Sequence, residues 1–203
     1  MAKRQIEKEM VDYLDKKLAN NGLAQLAIKN KDARTLFVQA MQACVGIREA
    51  TGRNDGKMVK LIQETVGSAS NEAWCMALMQ TGLAYAELKT GKVSPLPAAE
   101  LCSYVWNNTD KKQRVKILPL AGAIAIWQDL DSKGKLKSSG HTEMVVSCDG
   151  KVFQAVGGNT GGTTKPGQPV EANGNGCYFT VRSMKSTSKR KLQGFLIPFP
   201  KEA

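Results

Sequence analysis

Histidine is the scarcest reactive residue in this chain: there is one, His141, among 203 residues. That excludes the His-rich sites of the common zinc hydrolases, and neither metal nor cofactor is expected. Aromatic residues make up only 6%. With no recognisable reader motif, sequence-specific nucleic-acid recognition is excluded too. No apolar run approaches the roughly 18 residues that a membrane-spanning helix needs. The opening "MAKRQIEKEMVDYLDKK" mixes both charge signs and lacks the apolar core of a signal peptide. The chain is therefore expected to be made in the cytoplasm and to act elsewhere only after release or delivery. Its five cysteines (Cys44, Cys75, Cys102, Cys148 and Cys177) are odd in number and lack C-x-x-C spacing. Reduced thiols are expected rather than a disulfide framework. "KTG" at Lys89 to Gly91 has no S-x-x-K or S-D-N beside it, so a penicillin-recognising serine acyltransferase is excluded. "DLDSKG" (Asp129 to Gly134) starts like a calcium loop but lacks a closing glutamate, and reads as a solvated turn.

Acidic residues are also short, and unevenly so. Residues 1–100 carry 14 basic and 11 acidic side chains, a net of +3, and residues 101–203 carry 15 and 7, a net of +8. "RSMKSTSKRK" (Arg182 to Lys191) holds five basic residues and no acid. Such a half favours a polyanion, for instance an anionic cell-surface polymer, or serves merely as a solubilising face.

Helical spacing dominates the first half. Ile6, Met10, Tyr13, Leu14 and Leu18 form one stripe that stops before "NNG" (Asn20 to Gly22), a helix end. Asp32 is placed to cap a helix carrying Leu36, Ala40 and Cys44. Further helices are expected over Lys57 to Thr65, over Trp74 to Leu88, and after "SPLP" to about Trp106. The second half reads as strands: Ala121 to Trp127, His141 to Cys148, Lys151 to Gly158, Cys177 to Ser183 and Gly194 to Pro200. Gly158 to Gly176 is a long Gly/Pro/Thr/Asn-rich loop. Helices first and antiparallel strands second imply an α+β domain, with a helical segment over residues 1–43 joined to a domain over 44–203.

"SNEAWCMALMQTGLAY" (Ser70 to Tyr85) sets a cysteine at the front of an apolar helix. Cys75 is either a packing thiol or a nucleophile. Ser70 or Asn71 as cap would put it in the first turn, where unpaired N–H groups lower a thiol pKa and can hold an oxyanion. Met76, Met79, Leu83 and Ala86 give that helix a stripe to bury. The other four cysteines lack this setting. His141 follows a glycine, opens a strand and is the only candidate base. Asp149-Gly150 reads as a two-residue hairpin turn, which sets His141 opposite Gly158, next to Asn159. Asn159 is the expected third member, given a bulge at Gly157-Gly158; Glu143, on the same strand face as His141, is its rival.

"GIREATGRND" (Gly46 to Asp55), "EAWCMAL" (Glu72 to Leu78), "PLAGAIAIW" (Pro119 to Trp127), "GHTEMVV" (Gly140 to Val146) and "VGGNTGG" (Val156 to Gly162) carry a resemblance. Their order and spacing resemble those of CHAP-type and NlpC/P60-like cysteine peptidoglycan amidases and endopeptidases, over roughly residues 44–200. The resemblance implies a papain-like α+β fold with N-terminal helices on a central antiparallel sheet. It places the nucleophile on Cys75, the base on His141, the third polar residue on Asn159 and an early structural glutamate on Glu49. Asn71, Glu72 and Trp74, just before the nucleophile, would line the substrate cleft. Three departures stand out: Ala73 for proline, Ala123 for aspartate, and Thr142-Glu143 for Val-Gly, which leaves Glu143 as an alternative third member or pKa modulator. The implied activity is bacteriolytic hydrolysis of an amide bond in or next to the peptidoglycan stem peptide, as in a phage endolysin. A secreted antibacterial effector of the same chemistry and a non-enzymatic protein that binds a polyanion or nucleic acid are the alternatives.

Overall fold

The computed structural model describes residues 4–161 and 174–200. The Gly158 to Gly176 loop expected from composition lies largely outside the described residues.

Apolar spacing and local caps set the helices. In α1 (Lys8–Leu18) the residues Met10, Leu14 and Leu18 fall one turn apart and are buried. "NNG" does more than end this helix. The Asn21 side chain accepts from Ala24 N at 2.9 Å and starts a second helix, α2 (Gly22–Lys29), that apolar periodicity alone did not announce. Asp32 caps α3 (Ala33–Ala43) as expected, accepting from Thr35 N at 3.0 Å. Then follow α4 (Lys57–Glu64), α5 (Cys75–Thr90) and α6 (Cys102–Asn108). Met76, Met79, Leu83 and Ala86 are buried as the stripe requires, but so are Gln80, Thr81 and Tyr85 on the other sides. The helix is a core element rather than an amphipathic cover.

The strands are β1 (Arg114–Val115), β2 (Ile124–Leu130), β3 (Leu136–Cys148), β4 (Val152–Thr160), β5 (Gly176–Ser183) and β6 (Arg190–Leu196). They form one sheet in the order β1-β6-β2-β3-β4-β5, with every neighbouring pair antiparallel. The class is α+β, as the order of patterns along the chain implies. The final strand starts four residues before the expected Gly194 and stops at Leu196, ahead of Pro198.

Alternation sorts the sheet's side chains. Ile124, Ile126, Met144, Val156 and Leu196 join the helical core, while Ala123, Ala125, Trp127, Val145, Phe153 and Phe195 form a second apolar layer. Met10, Leu14, Leu36 and Phe37, from the first 43 residues, share one core with Leu78 and Leu83 of α5. Each such side chain contributes about 1.5–3 kcal/mol by leaving water.

The hairpin register differs from expectation. Asp149 Oδ1 accepts from both Lys151 N and Val152 N at 2.8 Å. The first β3–β4 pair is Cys148 with Phe153, four residues apart in the loop rather than two. An extra β3 residue, Val146, then shifts the ladder, so that Val145 pairs with Ala155 and Met144 with Val156. His141 consequently lies inside a thirteen-residue strand instead of opening one.

Candidate active site

Cys75 is the first residue of α5, and the cap position is Trp74 rather than Ser70 or Asn71. With no side-chain cap there, the first-turn N–H groups are left to other partners; Met76 N–H serves the Cys75 sulfur. The segment ahead of the helix is held from below. Gln63 Nε2 donates to the carbonyls of Glu72 at 2.7 Å and Asn54 at 3.2 Å. Trp74 is fully buried, and its indole N–H donates to Glu49 Oε1 at 2.9 Å, so it is an anchor and not the cleft wall expected of it. Asn71 and Glu72 are exposed beside the nucleophile.

Folding brings Cys75 and His141 into hydrogen-bond contact. Both are buried, Cys75 keeping 6% exposure and His141 1%. The imidazole Nε2 lies 3.2 Å from Glu143 Oε1, which leaves Nδ1 for the sulfur. Trp127 pairs with His141 across the β2–β3 ladder, with ring centroids 6.1 Å apart, and itself stacks on Phe153.

Glu143, not Asn159, is the residue in contact with the His141 ring. Two residues from His141 on one strand, it points to the same face. Arg182 Nη2 donates to its Oε1 at 2.7 Å, Arg182 Nε to its Oε2 at 3.0 Å, and Thr180 Oγ1 to its Oε2 at 2.9 Å. Gly157 makes the room: a Cβ there would sit 2.5 Å from Glu143 Cγ. Asn159, beyond it, takes a left-handed conformation with φ of 53°. Its amide thereby turns to Glu49 Oε1 at 3.3 Å and to Asn54 Oδ1, away from the imidazole. The irregularity expected at Gly157-Gly158 exists, as a register shift between Gly157 and Thr160 against β5, but its effect is the reverse of the one expected. Asn159 braces the loop under Trp74.

The electrostatics follow from these contacts. The Cys75 thiol is held well below its ordinary value, by hydrogen bonding from Cys102 first and then by His141, against the penalty of burial. Burial alone would lower the His141 pKa; Cys75 and Glu143 together outweigh it and raise the value. Burial opposes the Glu143 charge as well, yet His141 and Arg182 bring its pKa down to about 2. The favoured state is a thiolate, an imidazolium, a carboxylate and a guanidinium in one row. Cys44 is the contrasting case, a fully buried thiol pushed up to about 12 by desolvation. Among the described residues no group of His, Cys, Asp and Glu is arranged to hold a metal ion.

No protein-family model, curated protein or solved structure matches this chain.

Sequence reasoning missed two residues of the site. Cys102 opens α6 just as Cys75 opens α5, and the Pro-containing stretch before it was the available signal. Arg182 lay unnoticed within a basic run, although Thr180 and Arg182 alternate on one strand face as His141 and Glu143 do. Arg182 and Arg190 are spent on internal ion pairs with Glu143 and Asp129, so that run is less of a surface patch than its composition implies.

Proposed function

We propose that the protein is a thiol hydrolase that cleaves an amide bond in or next to the stem peptide of peptidoglycan, with Cys75 as nucleophile, His141 as general acid and base, and Glu143 as the residue that orients the ring. The observation that carries this is a thiol at a helix start, in contact with an imidazole whose far nitrogen lies 3.2 Å from a buried carboxylate. The papain-like arrangement of CHAP and NlpC/P60 enzymes is the finer fold reading that goes with it.

The Cys75 thiolate attacks the carbonyl carbon, and the carbonyl π electrons move to oxygen. Backbone N–H groups in the first turn of α5 hold that oxyanion. As the oxygen re-forms its double bond the C–N bond breaks, and the imidazolium of His141 gives its proton to the departing amine. A thioester remains on Cys75. Neutral His141 then takes a proton from water, whose oxygen attacks the thioester and releases a carboxylic acid and the thiolate. Glu143 stays ionised throughout, stabilising each imidazolium. The exposed loop carrying Asn71 and Glu72 flanks the approach to the sulfur. A cytoplasmic protein that reaches the wall after lysis, as a phage endolysin does, fits the cationic charge of the chain; delivery as an antibacterial effector calls for the same site.

The test is clearing of permeabilised cell-wall suspensions by purified protein, with fragments from a defined peptidoglycan identified by mass spectrometry. New amine and carboxyl ends at one bond type are expected. Cys75→Ala is expected to abolish their release while circular dichroism stays unchanged. Undiminished clearing by that variant refutes the proposal.

A further inference from the structure

The basic residues of the second half are not spread evenly. Lys111, Arg114, Lys116 and Lys191 converge on a cavity of about 610 Å³ at the β1–β6 edge of the sheet, walled by Trp106 and Gln193. No carboxylate stands among the described residues that line it. Gln193 is the extra residue of a β6 bulge, between the pairs Ile126–Gly194 and Trp127–Leu192. Its Nε2 is buried without a hydrogen-bond partner, and a turn of the side chain toward the cavity would give it one in an arriving oxygen. Arg114 is already set in place. Its Nε donates to Thr109 O and its Nη2 to Asn107 O, each at 3.0 Å, and its guanidinium lies 5.1 Å from the Trp106 ring centroid. Nη1 is the nitrogen turned to none of these carbonyls, so it is left for a ligand.

Helix α6 links this cavity to the thiol. Cys102 at its start contacts Cys75, and Trp106 comes four residues later, about 6 Å along the axis.

We propose that the cavity binds successive phosphate groups of a poly(alcohol phosphate) wall polymer and so tethers the protein beside its substrate. Four cations and a buried amide donor suit repeated oxyanions better than a single carboxylate. The choice of a wall polymer rests on the amidase reading. Trp106 argues against a nucleic acid: Arg114 covers its ring, and no other aromatic side chain is among the described residues that line the cavity.

The experiment is calorimetric titration of Cys75→Ala protein with poly(glycerol phosphate) at several salt concentrations. Saturable binding is expected, with a log–log salt slope of about −2 to −3, as for three or four displaced counterions. Lys116→Gln with Lys191→Gln, both exposed and remote from the core, should weaken it at least 10-fold, and Arg114→Gln should act in the same direction. Lys185→Gln with Lys189→Gln, outside the cavity, should leave affinity within 2-fold. Absence of polymer binding overturns the proposal, as does an equal loss in both lysine pairs. Equally tight binding of an oligothymidylate of the same charge overturns the assignment to a wall polymer. The titration needs no catalysis, so polymer binding without wall cleavage would sink only the amidase reading, and cleavage of phosphate-free peptidoglycan without polymer binding would sink only this one.

Discussion

Replacing Glu143 by glutamine is the sharpest perturbation of this molecule. The side chain keeps its size and loses its charge, so the fully buried Arg182 guanidinium loses the carboxylate charge that it pairs with at 2.7 Å. Removing one partner of a buried pair costs about 3–5 kcal/mol. The carboxyl itself gives an independent figure. Its pKa falls from an ordinary 4.5 to about 2 on folding, which corresponds to about 3 kcal/mol at neutral pH. The sign is that of a depressed acid: the stabilisation is complete above pH 4.5 and is lost as pH falls through about 2. Against a total of about 5–15 kcal/mol this is a large share. With a urea slope of about 2 kcal/mol/M, the unfolding midpoint of Glu143→Gln should drop by about 1.5–2.5 M. Adding Arg182→Met should restore part of that loss, because the buried positive charge that Glu143 balanced goes too. Hydrolysis should fall roughly 100-fold or more in the single variant, since a neutral amide no longer favours the imidazolium. A midpoint shift below about 0.5 M, or acid unfolding that keeps the same pH profile in the variant, refutes this account.

Three further outcomes are expected. Cys102→Ala removes the largest influence lowering the Cys75 pKa, so the pH midpoint for alkylation of Cys75 by iodoacetamide should move upward, with the acid limb of the pH–rate curve following it. Asn159→Ala should cost about 1–3 kcal/mol of stability through its lost bonds to Glu49 and Asn54, yet change turnover only a few-fold, whereas a ring-orienting asparagine would cost far more. Gly157→Ala pushes a methyl group into Glu143 and should depress both melting temperature and turnover, which paired calorimetry and kinetics would reveal together.

The sequence carried the architecture because apolar spacing and caps act locally. Leu14, Asp32 and the alternation in Ile124 to Trp127 announced their elements directly. The meeting of Cys75 and His141 was legible for the same reason, through a thiol at a helix start and a lone imidazole on a strand. The third member was not, because it depended on register. One extra residue at Val146 and a four-residue turn at Asp149 moved the ladder, and the left-handed backbone at Asn159 then turned its amide away. Arg182 was illegible in another sense: a charge run looks the same whether its members meet water or a buried carboxylate.

Because α5 is enclosed along most of its length, the sulfur it carries is fixed by the entire hydrophobic interior. Amide protons in this helix should exchange with deuterium only when the whole molecule opens, while those of residues 69–73 exchange early. The helix that carries the proposed nucleophile is thus rigid, and the part free to vary is the short exposed loop in front of it. Attempts to retune which bond is cut should begin in that loop and leave the helix alone.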